Sequence, residues 1–402
     1  MTDSPRLLDG LTVLDFTRVL AGPYCTRLLA DLGARVLKIE RPGEGDDTRR
    51  GYIQLEEGRA DQATYFVRIN AGKESVGLDL SHPRGREVVL DLARKADVAV
   101  ENFLPGVAAR LGIDHAALSA VKPDIVCCSI SGFGQTGPLR STPAFHHIIN
   151  AVSGIMHLEG GRATTPPVSY LQAADVLAGT HAFGAILAAL FRRGRTGRGA
   201  YLDVSMLEAM IAAEDISYGA LINGGAEYPG PRAGMIVHRL DGGDFAMQTV
   251  GAPQLWNRLL AAMKRPELND DPRFATPLAR RQNWPSLVPI ICEWLDSFGT
   301  RERALAGLRE ARIPASPVLS PAEVVALPHL EARGAFPEIP HPARGKVRVT
   351  AVPFHVDGQP SPPTAGAPYR IGEHTRHVLG GLLGYPGARI DELARANVIQ
   401  VA

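Results

Sequence analysis

Apolar and polar positions alternate in short blocks through the first part of the chain. Residues 11–16 (LTVLDF) read as a buried strand, a turn through Ala21-Gly22-Pro23 follows, and 24–32 read as a helix. Residues 34–40 (ARVLKIE) are the next strand, and the polar, Gly-rich stretch 41–61 reads as a surface loop. A strand over 76–80, a helix over 83–95 and a strand over 96–101 come next. Two short helices around Val107 and Ala116 then lead to a strand at 124–130. Such alternation predicts an α/β fold with a parallel sheet, Rossmann-like in its element order.

The longest apolar block, 177–191, lies within YLQAADVLAGTHAFGAILAALFRR at 170–193 and predicts a packed helix. Arg192 and Arg193 suit its negative C-terminal end and Gly194 suits the cap. Thr180 and His181 interrupt the block, which is too short to span a bilayer. A strand at 201–204 and a helix over 205–221 follow, and NGGAEYPGP at 223–231 reads as a linker. Residues 235–325 carry helical patterns (QLWNRLLAAM, SLVPIICEWLDSF, TRERALAGLREA) and predict a smaller, α-rich region. From 337 to 368 the chain is Pro-rich and partly extended, with KVRVTAVPF as a strand, and helical segments at 375–383 and 390–397 close it. The expected division is a large domain from 1–220 with 328–402, a small domain at 232–327 and a linker at 221–231.

Charge adds little. Lys+Arg 43 against Asp+Glu 42 gives a net charge of +1, which argues against a dedicated nucleic-acid or membrane-surface binder. Cys25, Cys127, Cys128 and Cys292 have no zinc-type spacing and read as free thiols in a reducing compartment. Cys127 and Cys128, adjacent in a strand, should face opposite sides of the sheet. The N-terminus, MTDSPRLLDG, has no signal-peptide layout, so a cytoplasmic location is expected, with no membrane and no nucleic acid as partner.

Familiar catalytic signatures are absent: there is no GxxxxGK[ST], no HExxH and no GxSxG. GFGQTG at 132–137 matches GxGxxG after a strand, but Pro138 follows and no helix opens there, so it reads as a turn. His146 and His147 are adjacent rather than spaced as ligands, and no metal is expected. Asp175, near the start of the long helix, is followed by Ala178, Gly179, Ala182 and Gly184. Two readings stay open: a helix cap with small residues that admit another helix, or a nucleophilic carboxylate beside a surface kept bare for a ligand.

The order of local sequences resembles the class III coenzyme A transferase family, which includes formyl-CoA transferase and carnitine CoA-transferase and extends to α-methylacyl-CoA racemase. The resemblance rests on LLDGLTVLDFTRVLAGPYCTRLLADLGARVLKIERPGEGDDTR at 7–49, NAGKESVGLDL at 70–80 and ADVAVENFLPG at 96–106. SISGFGQTGP at 129–138 and ADVLAGTHAFGAILAALFRRGRTGRG at 174–199 continue it, and DPRFATPLARRQNW and ARIPASPVLSPAEVVALPHLEARGAF extend it towards the C-terminus. It implies an interlocked homodimer and a catalytic aspartate, here Asp175, that attacks an acyl-CoA thioester and passes CoA to a carboxylic acid. Coenzyme A is then the co-substrate, and the implied contacts are Val19, Leu20, Ala21, Arg41, Leu78, Asn102, Phe103 and Arg110, with His146 and His147 in a segment that lines the site in some members. Without the resemblance, Arg41 and Arg110 read as solvated surface charge. The N-terminal half looks most like members that handle succinyl-CoA or glutarate-type acids. The racemase branch uses a His in this segment; an ungapped count puts that position at Phe145, which weakens the racemase alternative. A non-catalytic CoA-binding subunit is the other alternative, and an intact Asp175 counts against it.

Overall fold

The computed structural model describes residues 6–160, 165–214, 216–226, 233–249 and 253–402. The chain divides into two compact units, Met1–Glu227 with Glu331–Ala402, and Tyr228–Leu330. In the first, short β-branched and aliphatic runs form β1 (Thr12–Asp15), β2 (Arg35–Glu40), β3 (Lys73–Leu78), β4 (Val98–Glu101), β5 (Val126–Ser131) and β6 (Ala200–Ser205). Between them lie α1 (Ala21–Asp31), α2 (Thr64–Asn70), α3 (Pro83–Ala93), α4 (Val107–Leu111), α5 (His115–Val121), α6 (His146–Val152), α7 (Ile155–Gly160) and α8 (Ala173–Thr196).

The strands pair in the order β3-β2-β1-β4-β5-β6, all parallel, and Ile399–Gln400 adds an antiparallel edge beside β3. This is a mixed α/β architecture with the strand order of doubly wound sheets, whose direction reverses between β1 and β4. Side chains alternate across it. Leu14, Leu37, Ala99 and Cys127 join α3 and the C-terminal helices in one core, while Val13, Val36, Val98 and Cys128 join α1 and α8 in the other. The two adjacent cysteines therefore do face opposite ways, and all four cysteines are free.

Several expectations need correction. α1 starts at Ala21 rather than 24, β3 starts at Lys73 rather than 76, and α2 was not foreseen. The helix expected over 205–221 is two, Met206–Ala212 and Ile216–Leu221, with residue 215 outside the described set. Only Lys346–Arg348 of KVRVTAVPF pairs as a strand, which begins at Gly345 and pairs with Glu338–His341. The expected linker falls partly on 227–231, outside the described residues. GFGQTG is a turn, with Gly134 and Gly137 both at φ 83.

The second unit is not helical throughout: Met235–Leu240, Gly243–Gln248 and Ala315–Pro317 form an antiparallel sheet. Asp241-Gly242, a two-residue hairpin turn with Gly242 at φ 92, joins the first two strands. Phe245, Trp256, Leu259, Trp284 and Ile291 fill the core of this unit.

α8 is longer than its apolar block. Its 24 residues, with a mean hydropathy of 1.6 over the most apolar window, meet the length and composition of a membrane span, contrary to the expectation from sequence. One face is nevertheless a core face, with Ala174, Ala178, Ala182, Ile186 and Ala189 against α1 and the sheet. Gly194 is interior to the helix; the cap is Gly197, at φ 68. At Gly179 a Cβ would lie 2.5 Å from the Ala21 carbonyl oxygen and 3.4 Å from the Cys25 nitrogen, so α1 and α8 touch backbone to backbone. Gly194 has nothing within 4 Å. Alanine at these two positions of one helix should act with opposite signs. Gly179→Ala must displace backbone and should destabilise by about 1–3 kcal/mol despite its better helix propensity. Gly194→Ala should stabilise by about 0.5–1 kcal/mol. Urea unfolding measures both.

Candidate active site at the sheet's switch point

The reversal of strand order between β1 and β4 opens a crevice at their carboxyl ends, and the segments that leave those strands shape it. After β1 the chain turns through Thr17, Arg18 and Val19 before α1. Val19 has φ 68, a left-handed conformation that costs a β-branched residue free energy unless its surroundings impose it. They do. The Thr17 N–H donates to Asp15 (3.0 Å), and the Thr17 carbonyl accepts from Lys38 Nζ (2.9 Å). Asn102, the first residue after β4, accepts from the Arg18 N–H and donates to the Arg18 carbonyl, both at 2.8 Å. The Val19 N–H reaches Asp46 at 3.3 Å.

Those anchors belong to a buried ionic network. Asp15 pairs with Lys73 (2.9 Å), Lys38 with Asp46 (2.9 Å) and Glu40 with Arg49 (2.7 Å). Ser75 donates to Glu40 at 2.6 Å, and the Arg49 guanidinium lies 3.8 Å from the Phe66 ring centroid. Burial pushes the Asp15 carboxyl up, but Lys73 and Lys38 outweigh it and hold the group at about 2. Burial pushes Lys73 down to about 8 against the pull of Asp15, so both members carry charge at neutral pH.

Two cavities open along the crevice. One, of about 370 Å3, is lined by Arg41, Leu78, Phe103 and Arg110 together with Arg18. The other, of about 280 Å3, is lined by Val19, Ala21, Asn102, Phe103 and Asp175, again with Arg18. Arg18 and Phe103 border both. The site residues expected from the sequence thus fall into two adjoining groups. Three fall outside both cavity walls: Leu20 is buried at 1% exposure, because the turn that exposes Val19 sends the next side chain into the core, and His146 and His147 line neither cavity. Arg18 escaped notice although it lies inside the segment quoted for the resemblance; the hint available was its place just past the first strand. Arg41 pairs with Glu44 at 3.1 Å on the exposed rim.

Asp175 is the third residue of α8, not its cap; the N-cap is Gln172, which makes no capping bond with its side chain. The tight approach at Gly179, one turn on, brings the carboxylate against the N-terminus of α1. Burial raises the Asp175 carboxyl to about 6, with the Ala21 backbone amide and His147 pulling the other way. His146 Nδ1 lies 3.5 Å from Asp175 Oδ2, and the His146 and His147 ring centroids are 3.8 Å apart. Burial, together with His147, holds His146 below the usual imidazole range. Phe145, the position that counting assigned to the racemase histidine, is the N-cap of α6, 66% exposed, and lines the smaller cavity with Asp175; the histidine that approaches Asp175 is His146.

Residues 8–375 match the sequence pattern of CoA-transferase family III. The chain belongs to that family. As a family III CoA-transferase it is 34% identical over 408 aligned positions to the mouse succinyl-CoA:glutarate CoA-transferase, which covers 99% of this chain and 91% of that one. It is 33% identical to the formyl-CoA:oxalate CoA-transferase of Streptomyces coelicolor, over 98% of this chain and 99% of the other. Among solved structures, a CaiB/BaiF family protein from Brucella suis superposes with a TM-score of 0.78 at 31% identity, covering 94% of this chain and all of that one. The enzyme class is thereby established, and the large parallel sheet is that family's architecture.

Proposed function

We propose that this enzyme moves coenzyme A from an acyl-CoA to a carboxylic acid with Asp175 as nucleophile. What carries the reading is the place of Asp175: a desolvated carboxylate in the wall of the smaller cavity, against a helix N-terminus. The nucleotide end of CoA fits the larger cavity, where Arg41 and Arg110 on the rim meet its phosphates. The pantetheine arm passes Phe103 and Arg18 and delivers the thioester to Asp175. The large unit is then the CoA-binding domain.

An Asp175 oxygen attacks the thioester carbonyl, the C–S bond breaks, and an aspartyl–acyl anhydride and CoA thiolate form. The thiolate attacks the aspartyl carbonyl, which frees the first acid and leaves an aspartyl-CoA thioester. The acceptor carboxylate attacks this thioester and forms a second anhydride with release of thiolate. The thiolate then attacks the acceptor's acyl carbon, giving the new acyl-CoA and restoring Asp175. Each tetrahedral intermediate carries an oxyanion, and the amide of Ala21 at the N-terminus of α1 is positioned to stabilise it. The two relatives act on succinyl-CoA with glutarate and on formyl-CoA with oxalate, which supports dicarboxylic substrates here.

A second chain completes the assembly in this reading. Phe145, Ile148 and Val152 at and along α6 are exposed, as are Tyr170 and Leu171, which meet α6 through the His147 ring and Asn150. Single apolar residues at a surface need no explanation, but a run of this size marks an interface. An interlocked homodimer buries it. Light scattering should show a dimer of the 43.0 kDa chain, and a folded, active monomer would contradict this.

One observation favours α-proton chemistry as a second reading: the 3.5 Å approach of His146 to Asp175 supplies a base and an acid side by side. The transferase reading predicts no deuterium uptake by a 2-methylacyl-CoA in deuterium oxide without an acceptor acid. Rapid uptake, read by mass spectrometry, would replace transfer with racemisation.

Attack requires ionised Asp175. The kcat/KM for the acyl-CoA should therefore be flat above pH 7 and fall about tenfold per pH unit below about 6, as the free carboxyl protonates. Asp175→Asn, similar in size and without the anion, should lose transfer while CoA binding measured by calorimetry persists. A transfer-competent Asn variant would remove the nucleophile assignment.

A further inference from the structure

Arg68 is a guanidinium with no carboxylate partner among the described residues. Its neighbours Arg27, Arg35, Arg49 and Arg59 are each paired with a carboxylate at 2.7–2.8 Å. Arg68, partly buried on α2, has no ion pair and donates no side-chain hydrogen bond among the described residues. Its backbone is nevertheless fixed, because its carbonyl accepts from Arg27. A planar fork of five N–H donors held in a sheltered place without an acceptor suits a carboxylate that arrives from outside.

Its surroundings point to the Asp175 site. Tyr65 lies three residues earlier on α2, so the two side chains share a face, and the Arg68 guanidinium lies 5.6 Å from the Tyr65 ring centroid. The Tyr65 hydroxyl accepts from Gln172 Nε2 at 3.4 Å, and Gln172 caps the helix whose third residue is Asp175. Burial, with the Asp175 charge adding to it, pushes the Tyr65 phenol up to about 12, which leaves an O–H donor at neutral pH. Tyr24 on α1 closes the other side: its Cδ1 is 3.1 Å from where a Cβ on Gly179 would stand. The Arg68 charge acts on both tyrosines. Arg68 is thus separated from the first turn of α8 by one aromatic ring.

We infer that Arg68 binds the distal carboxylate of a dicarboxylic acyl acceptor or donor whose other end reacts at Asp175; this rests on the nucleophile assignment above. The electrostatics give a reason for it. A dianion brought beside ionised Asp175 meets like charge at its reacting end, and a cation at its far end offsets the repulsion and fixes which end is presented. Tyr65 sets the spacing between the two ends. A monocarboxylic acid has no group for Arg68, so the residue discriminates between the two classes.

The test compares wild type, Arg68→Ala and Arg68→Lys with one acyl-CoA donor. Acceptors are the dicarboxylic acids from oxalate to glutarate, each matched to a monocarboxylic acid of equal chain length. In wild type the kcat/KM ratio favours at least one dicarboxylic acid over its match. Arg68→Ala should lower that ratio about 10- to 100-fold, chiefly through KM, and Arg68→Lys should restore part of it. An unchanged ratio in an active Ala variant overturns the inference, as does a wild type that prefers every monocarboxylic partner. A parallel loss with both acid classes and of CoA affinity by calorimetry assigns Arg68 a structural role and overturns it too. Failure of the underlying reading is separate: it appears as transfer that persists in Asp175→Asn, whatever Arg68 does.

Discussion

Six buried charged side chains, Asp15, Lys38, Glu40, Asp46, Arg49 and Lys73, lie under the turn that follows β1. Three are anions and three are cations. Buried charge is tolerated only when it is paired and hydrogen-bonded, and removal of one partner from such a pair costs about 3–5 kcal/mol. The network therefore has few alternative arrangements. Its spare acceptors and donors fall on the backbone of Thr17 and Val19, with Asn102 holding Arg18 from the other strand. A β-branched residue at φ 68 is what this anchoring makes affordable.

The site follows from that turn. Because Val19 is forced outward, Leu20 enters the core and α1 begins at Ala21, with its N-terminal amides aimed across the crevice. α8 can approach this end only where it carries no side chain, at Gly179, and Asp175 one turn earlier is carried in with it. The carboxylate is then partly desolvated, hence its rise to about 6, yet still mostly ionised at neutral pH. That combination suits a nucleophile that must act without a general base: charged, but not stabilised by water.

Much of the frame was legible in the sequence because strand and helix periodicities differ and alternate: β1, β2, α3, β4 and β5 each carry a clear pattern, and adjacent Cys127 and Cys128 could be sent to opposite faces. The ionic network was not legible. Lys38 and Lys73 are charges inside strand-like runs, and their partners lie up to 58 residues away, beyond any local pattern. α2 is only seven residues long, too short for periodicity to declare it. The hairpin at 235–248 carried its signal in Asp241-Gly242, and the helical patterns downstream masked it. At the site, the residues alone left Asp175 between cap and nucleophile, and the family resemblance favoured the second. Counting along the chain could not show that α6 starts at His146, with Phe145 as its N-cap in the cavity wall and His146 3.5 Å from Asp175. Arg68 stayed silent because a lone arginine in YFVRIN looks like solvated charge until its half-buried place without a carboxylate among the described residues is seen in three dimensions.

The account stands on a covalent bond to one carboxylate. Incubation with an acyl-CoA and hydroxylamine, then proteolysis and mass spectrometry of the peptide that contains Asp175, tests it most directly. The account predicts conversion of Asp175 to its hydroxamate, dependent on acyl-CoA and lost in Asp175→Asn. An unmodified Asp175 peptide from an enzyme that is turning over under these conditions would contradict it.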